Sequence, residues 1–140
     1  MSVELPVAAL AVTAALHAGF QVTVTALVYP PLLGDGSDWS RRHGLHSRRI
    51  VPLVVLTYGA VLVSMVWVVA AGAVPASAWV AGGTFALTLL VTAAGAAPLH
   101  GRLGRGFDPV VARRLLVVDR WRCALAVLAS VAAVVALLQA

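Results

Sequence analysis

The sequence predicts an all-α polytopic membrane protein, an up-and-down bundle of four transmembrane helices forming a single domain over residues 1–140. Three observations predict it. The chain is 61% hydrophobic and 11% charged, with a mean hydropathy of +0.98, well outside the range of soluble globular domains. Its apolar residues gather into four long runs. Its ten basic residues are all arginine and lie only within 41–49 and 102–122, the pattern of loops beside a bilayer. A nucleic-acid binder would spread such charge over a soluble basic face, so nucleic acid is excluded as a partner.

The first run, Leu5 to Leu33, follows a start that carries Glu4 and lacks a basic n-region. It continues past the length of a signal core, which makes it a retained first helix. The second and third runs, Ile50 to Val74 and Ser77 to Leu99, also exceed the roughly 20 residues needed to cross hydrocarbon. The fourth, Cys123 to Leu138, is short by itself. "DPVVARRLLVVDRWR" extends it back to residue 109, with Asp108 as N-cap and Pro109 at the first helical position. The expected helices are therefore 5–33, 50–74, 77–99 and 109–138. They are joined by a polar loop from Gly34 to Arg49, a tight "GAVPA" turn, and "HGRLGRGFD".

Every arginine falls in or beside the first and third connections, and none in the second. The positive-inside rule then places those connections in the cytoplasm, the chain in the cell membrane, and both termini outside. Trp39, Trp79 and Trp121 fall near segment ends, where interfacial anchoring is expected of them.

Alternating topology brings the remaining polar groups to one membrane face. There, His43 and His46 precede helix two, His100 closes helix three, and Asp119 and Arg122 open helix four. These five form the candidate polar cluster, with Tyr29 at the exit of helix one. An acidic residue near hydrocarbon needs a partner, and Arg122 stands three residues on along the same helical face. Asp119 is thus expected either to pair with Arg122 or to orient one histidine. His17 lies near mid-membrane, roughly 18 Å from the start of helix one by helical rise. Thr13, His17, Gln21 and Thr25 make a polar stripe at four-residue steps, and Thr84, Thr88 and Thr92 another on helix three. Interhelical hydrogen bonding explains such stripes, as does a narrow polar pocket between helices one and three.

His43, His46 and His100, with Asp119, are also zinc or copper ligand types. Gly44 weakens the helix that would align His43 with His46, and no second pair stands at motif spacing, so no metal is assigned. Bis-histidine haem needs a second imidazole at the depth of His17, and none is present. No cofactor is expected. Cys123 is the only cysteine, which rules out an intramolecular disulfide. Transport by this chain alone is disfavoured because no carboxylate lies deep in the membrane.

Helix one exits through "PPLLGDGSD" and helix three through "APLHGRLGRGFD", a faint echo that duplicated hairpins or convergent loop grammar would equally produce. "AAPLHGRL" and "DRWR" resemble the pattern of the small four-helix membrane proteins that include the anthrone oxygenases, through Pro98, Leu103, Trp121 and Arg122. His100 stands where an asparagine is more usual. The resemblance implies cofactor-independent oxygenation of a hydrophobic aromatic substrate, with His100 and Asp119 as candidates to take a phenolic proton and Arg122 to stabilise the anion. The residues themselves favour an accessory or ligand-binding membrane protein whose cytoplasmic His/Arg/Asp cluster engages a protein partner, a second copy or a membrane lipid. A histidine-ligated metal protein is the third expectation.

The topology is testable. On a Cys123-free background, a single cysteine in the Gly72–Val74 turn is expected to label from outside the cell, and one in 102–106 only after permeabilisation. The reverse pattern would overturn the orientation.

Overall fold

The computed structural model describes residues 4–33, 36–72 and 74–140. It is all-helical, with four helices long and apolar enough to cross a membrane: α1 Glu4–Leu33, α2 Trp39–Ala71, α3 Ala76–Leu103 and α4 Pro109–Gln139. Adjacent helices run antiparallel. Thr13 meets Ser64 near one end of the α1/α2 pair, and Tyr29 meets His46 near the other. On the α3/α4 pair, Ser77 bonds Gln139 and Thr92 bonds Arg122. Thr25 and Asp119 join α1 to α4. α2 meets α3 through Tyr58 on Phe85 and Thr92. At Gly82 a Cβ would collide with the Met65 side chain. The outward faces are aliphatic, as lipid contact requires: Leu27, Val55, Val63 and Leu90 are all largely exposed.

The start of α4 is as its residues predict. Asp108 caps it by accepting the Val110 and Val111 backbone N–H groups, with Pro109 at the first position. Those bonds, led by the one from Val111, hold its carboxyl below the usual carboxylate range.

Three expected boundaries are corrected. Residues 39–49 are not a loop, because α2 begins at Trp39 and "RRHGLHSRRI" is its first three turns. Arg, Leu and His are compatible with helix, and the lone Gly44 costs only about 1 kcal/mol. What offsets that cost is tertiary. Trp39 is buried, its indole N–H donates to the Leu103 carbonyl at 2.7 Å, and its ring packs on His43 and Phe107. Trp39 is therefore a core residue rather than an interfacial anchor, whereas Trp79 and Trp121 are exposed as anchors should be. At its other end α2 stops at Ala71, before Gly72 with φ +92°, so the expected end at 74 is also too late, and Ala73 lies outside the described residues. Third, α3 continues to Leu103, which leaves His100 in its last turn and shortens the third connection to Gly104–Asp108. The first connection contracts likewise to residues 34–38, of which 34 and 35 lie outside the described residues. Gly36 takes φ +79° there, and a Cβ on it would sit 2.5 Å from the Phe107 ring.

Both α1 and α3 contain one π-helical turn, Val24–Val28 and Thr92–Ala96. The Tyr29 N–H reaches the Val24 carbonyl immediately before Pro30, and the Ala97 N–H reaches the Thr92 carbonyl immediately before Pro98. Proline removes a backbone donor and crowds the preceding turn, and widening that turn relieves the crowding. The exit echo of the sequence is thus a shared backbone device, with the same register to proline in both hairpins.

Two apolar clusters fill the interior. One, toward the chain termini, includes Val7, Leu10, Val61, Val68, Ala78, Ala133 and Ala136. The other, toward the arginine-rich end, includes Val24, Leu33, Trp39, Leu103, Val111 and Leu115. A polar layer separates them. Trp39→Phe is expected to leave the Leu103 carbonyl with only its longer bond from the Gly106 N–H and to lower stability by about 0.5–1.5 kcal/mol, read as an earlier thermal unfolding transition in detergent. An unchanged transition would show that the first turns of α2 do not depend on this bond.

Candidate functional site

The polar layer is built around Arg122, which is 4% exposed, and Asp119, which is 0% exposed. Arg122 Nη1 donates to Asp119 Oδ1 at 3.1 Å, Nε to Thr92 Oγ1 at 3.0 Å, and Nη2 to Tyr58 Oη at 3.0 Å and Gln21 Oε1 at 3.4 Å. The other carboxylate oxygen accepts from Thr25 Oγ1 at 2.5 Å. All four helices therefore contribute to one ion pair. Thr92 sends its single hydroxyl proton to the Thr88 carbonyl, so at 3.0 Å Tyr58 donates to Thr92 while accepting from Arg122. The two threonines bound to the pair, Thr25 and Thr92, are the residues that the π turns carry.

Asp119 accordingly pairs with Arg122 and orients no histidine. His17 sits on the other side of Tyr58, edge-on to it at 4.4 Å and to Phe85 at 5.5 Å between ring centroids. Both His17 Nε2 and Gln21 Nε2 are enclosed without a hydrogen-bond partner among the described residues. The stripe Thr13, His17, Gln21, Thr25 does face inward, but it meets Ser64 and Tyr58 of α2 and Arg122 and Asp119 of α4. Tyr58 and Arg122 stand between the two stripes: Arg122 bonds both Gln21 and Thr92, and Tyr58 bonds Thr92 beside His17.

The histidines of the arginine-rich end do come together. His100 Nε2 is 2.7 Å from the Tyr29 hydroxyl. His43 and His46 lie 5.9 and 6.2 Å from His100 between ring centroids, and the Nε2 atoms of both are enclosed without a hydrogen-bond partner among the described residues. This is possible only because residues 39–49 are helical, which sets His43 and His46 on one face. The His46 and His100 rings stack within 19° of parallel. Among the described residues no three His, Cys, Asp or Glu side chains are placed to hold one metal ion.

A cavity of about 240 Å³ opens between α2 and α3. Ile50, Val51, Val54, Val55, Ala96 and Ala97 form its apolar walls, and Thr92, His100 and Arg122 its polar floor. Val51 and Val55 are largely exposed, so its mouth lies on the lipid-facing side of the bundle. Asp119 does not line it. The polar stripe marked Thr92 in the sequence, but nothing there signalled Tyr58 or this crevice, since they join it only when α2 and α3 pack.

The chain matches no protein-family model, no curated protein and no solved structure. Its likeness to the anthrone-oxygenase group rests on the quoted residues alone.

Removing one member of a buried pair leaves an uncompensated charge, which typically costs about 3–5 kcal/mol. Asp119→Leu is expected to destabilise the bundle by that order, and the double variant Asp119→Leu/Arg122→Met to recover much of the loss. Equal stability of the single and double variants in chemical unfolding would contradict this account of the polar layer.

Proposed function

We propose that the protein is a ligand-binding protein of the cell membrane that takes an amphiphile from the bilayer through the α2/α3 crevice and holds its polar head at Arg122 and His100. The single observation carrying this is the crevice, whose aliphatic walls lead from lipid to a floor of hydrogen-bonding groups. An apolar cavity of roughly 150 Å³ accommodates a benzene molecule. About 240 Å³ therefore suits a head of one or two rings, or a branched equivalent, with any longer tail left in the bilayer. Asp119 neutralises Arg122, so the floor suits a neutral carbonyl or hydroxyl rather than an anion. The arginine distribution supports an orientation with this end cytoplasmic and both termini outside.

A second function, the cofactor-independent oxygenation implied by the resemblance, is favoured by the 2.7 Å Tyr29–His100 bond beside the crevice. His100, held by Tyr29, would take the phenolic proton, and Arg122, already paired with Asp119, would offer the resulting oxygen a hydrogen bond rather than a free charge. Asp119 is less suited to that role, being enclosed and already accepting from Arg122 and Thr25. Oxygen uptake with an anthrone or hydroquinone, absent in His100→Ala, would support this function over simple binding.

The crevice itself is tested by Val54→Trp, which fills it from the α2 wall. Excluding a ligand group comparable to one buried apolar side chain forfeits about 1.5–3 kcal/mol. Occupancy by co-purifying lipophiles, read by native mass spectrometry, is therefore expected to fall about tenfold or more. Undiminished occupancy in a folded Val54→Trp protein would overturn the proposal.

A further inference from the structure

A second recess, of about 390 Å³, lies on the neighbouring face of α2, toward α1, and shares Ile50 with the crevice. Val28, Arg42, Leu45, His46, Arg49, Ile50 and Leu53 line it. From this groove we infer a binding site for the phosphate of an anionic phospholipid, separate from the crevice and independent of its ligand.

Spacing is the first argument. Arg42, His46 and Arg49 follow one another at steps of four and three residues, which puts them on one helical face. Their axial separations are roughly 6 and 4.5 Å, so a phosphate seated between Arg42 and Arg49 is within reach of both long side chains. Arg42 also donates across to the Pro31 carbonyl of α1, which fixes its guanidinium at the rim of the groove. His46 contributes its ring to the groove wall, backed by Tyr29 and His100.

Charge is the second argument. Among the described residues, ion pairs join Arg41 to Asp38 and Arg122 to Asp119 and involve no other arginine. Arg42 and Arg49 therefore face the groove with uncompensated charge, in contrast to the neutralised floor of the crevice. A phosphate oxygen accepts from guanidinium and imidazole N–H groups alike.

Depth identifies the source of the phosphate. The apolar run of α2 starts at Ile50, so Arg42 to Arg49 stand at headgroup level. Ile50 and Leu53 continue the groove into hydrocarbon with Val28, and Leu53 is 47% exposed. A free phosphate has no use for that aliphatic extension, whereas an acyl chain lies along it.

The test compares phosphatidylglycerol with phosphatidylcholine on the delipidated full chain, with retained lipid counted by native mass spectrometry. The unaltered chain is expected to retain phosphatidylglycerol preferentially, and this comparison decides the matter without any variant. Arg49→Gln/His46→Ala is expected to reduce retention about fivefold, the factor that one basic group beside an anionic surface contributes. Arg105→Gln, at the same end but outside the groove, is expected to leave it unchanged. Equal retention of the two lipids would overturn the inference, as would equal loss in Arg105→Gln. Full displacement by inorganic phosphate would reassign the groove to the free anion, and a polypeptide recovered there in place of lipid would overturn it too. Val54→Trp is expected to keep the phospholipid, so failure of the crevice proposal and failure of this one are distinguishable.

Discussion

The buried pair of Arg122 and Asp119 is the constraint around which this bundle is organised. Neither charge survives alone in a low-dielectric interior, and their mutual attraction offsets desolvation only when the remaining polar atoms are also satisfied. The surrounding structure supplies what they lack: Thr25 and Gln21 from α1, Tyr58 from α2, and Thr92 from α3. Each helix is thereby fixed in rotation and in depth. Apolar packing in lipid would leave both loosely specified, because lipid tails are as apolar as the side chains they meet.

The two π turns follow from the same requirement. A regular helix ahead of Pro30 or Pro98 would crowd the proline ring against the preceding turn. The widened turns remove that strain and carry Thr25 and Thr92 to the pair. The layer so formed divides two apolar clusters, and the one toward the termini is packed with small and aliphatic groups such as Ala78, Ala133 and Val68. The buried ion pair lies between that cluster and the end of the bundle that holds the other arginines and three of the four histidines, while the terminal half keeps only neutral polar contacts such as Thr13 with Ser64 and Ser77 with Gln139.

Toward the arginine-rich end, electrostatics separates two kinds of recess. The crevice between α2 and α3 ends on a guanidinium already matched by a carboxylate, which leaves hydrogen bonding without net charge. The groove between α1 and α2 presents guanidinium groups that, among the described residues, pair with no carboxylate. His46 stands between the two, lining the groove while its ring stacks on His100, which lines the crevice. Ile50 also lines both recesses, which therefore share a wall while their charged groups differ.

By itself the sequence determined that there are four spans, because hydrocarbon thickness sets the length of an apolar run. It also determined the start of α4, because Asp108 and Pro109 act through their own backbone neighbours, and the gathering of His43, His46, His100, Asp119 and Arg122 at one end, because antiparallel helices must alternate. Tertiary structure alone decided that residues 39–49 are helix. Their arginines, histidines and glycine suit a loop as well as a helix, and the docking of Trp39 on Leu103 selects between them. It alone decided that Asp119 serves Arg122 and that Tyr29 serves His100, since the i, i+3 spacing permitted the first pair without excluding a histidine. The crevice, too, arises from how far α2 stands from α3, a distance set by Tyr58, Met65 and Gly82 across an interface that no local pattern in the sequence encodes.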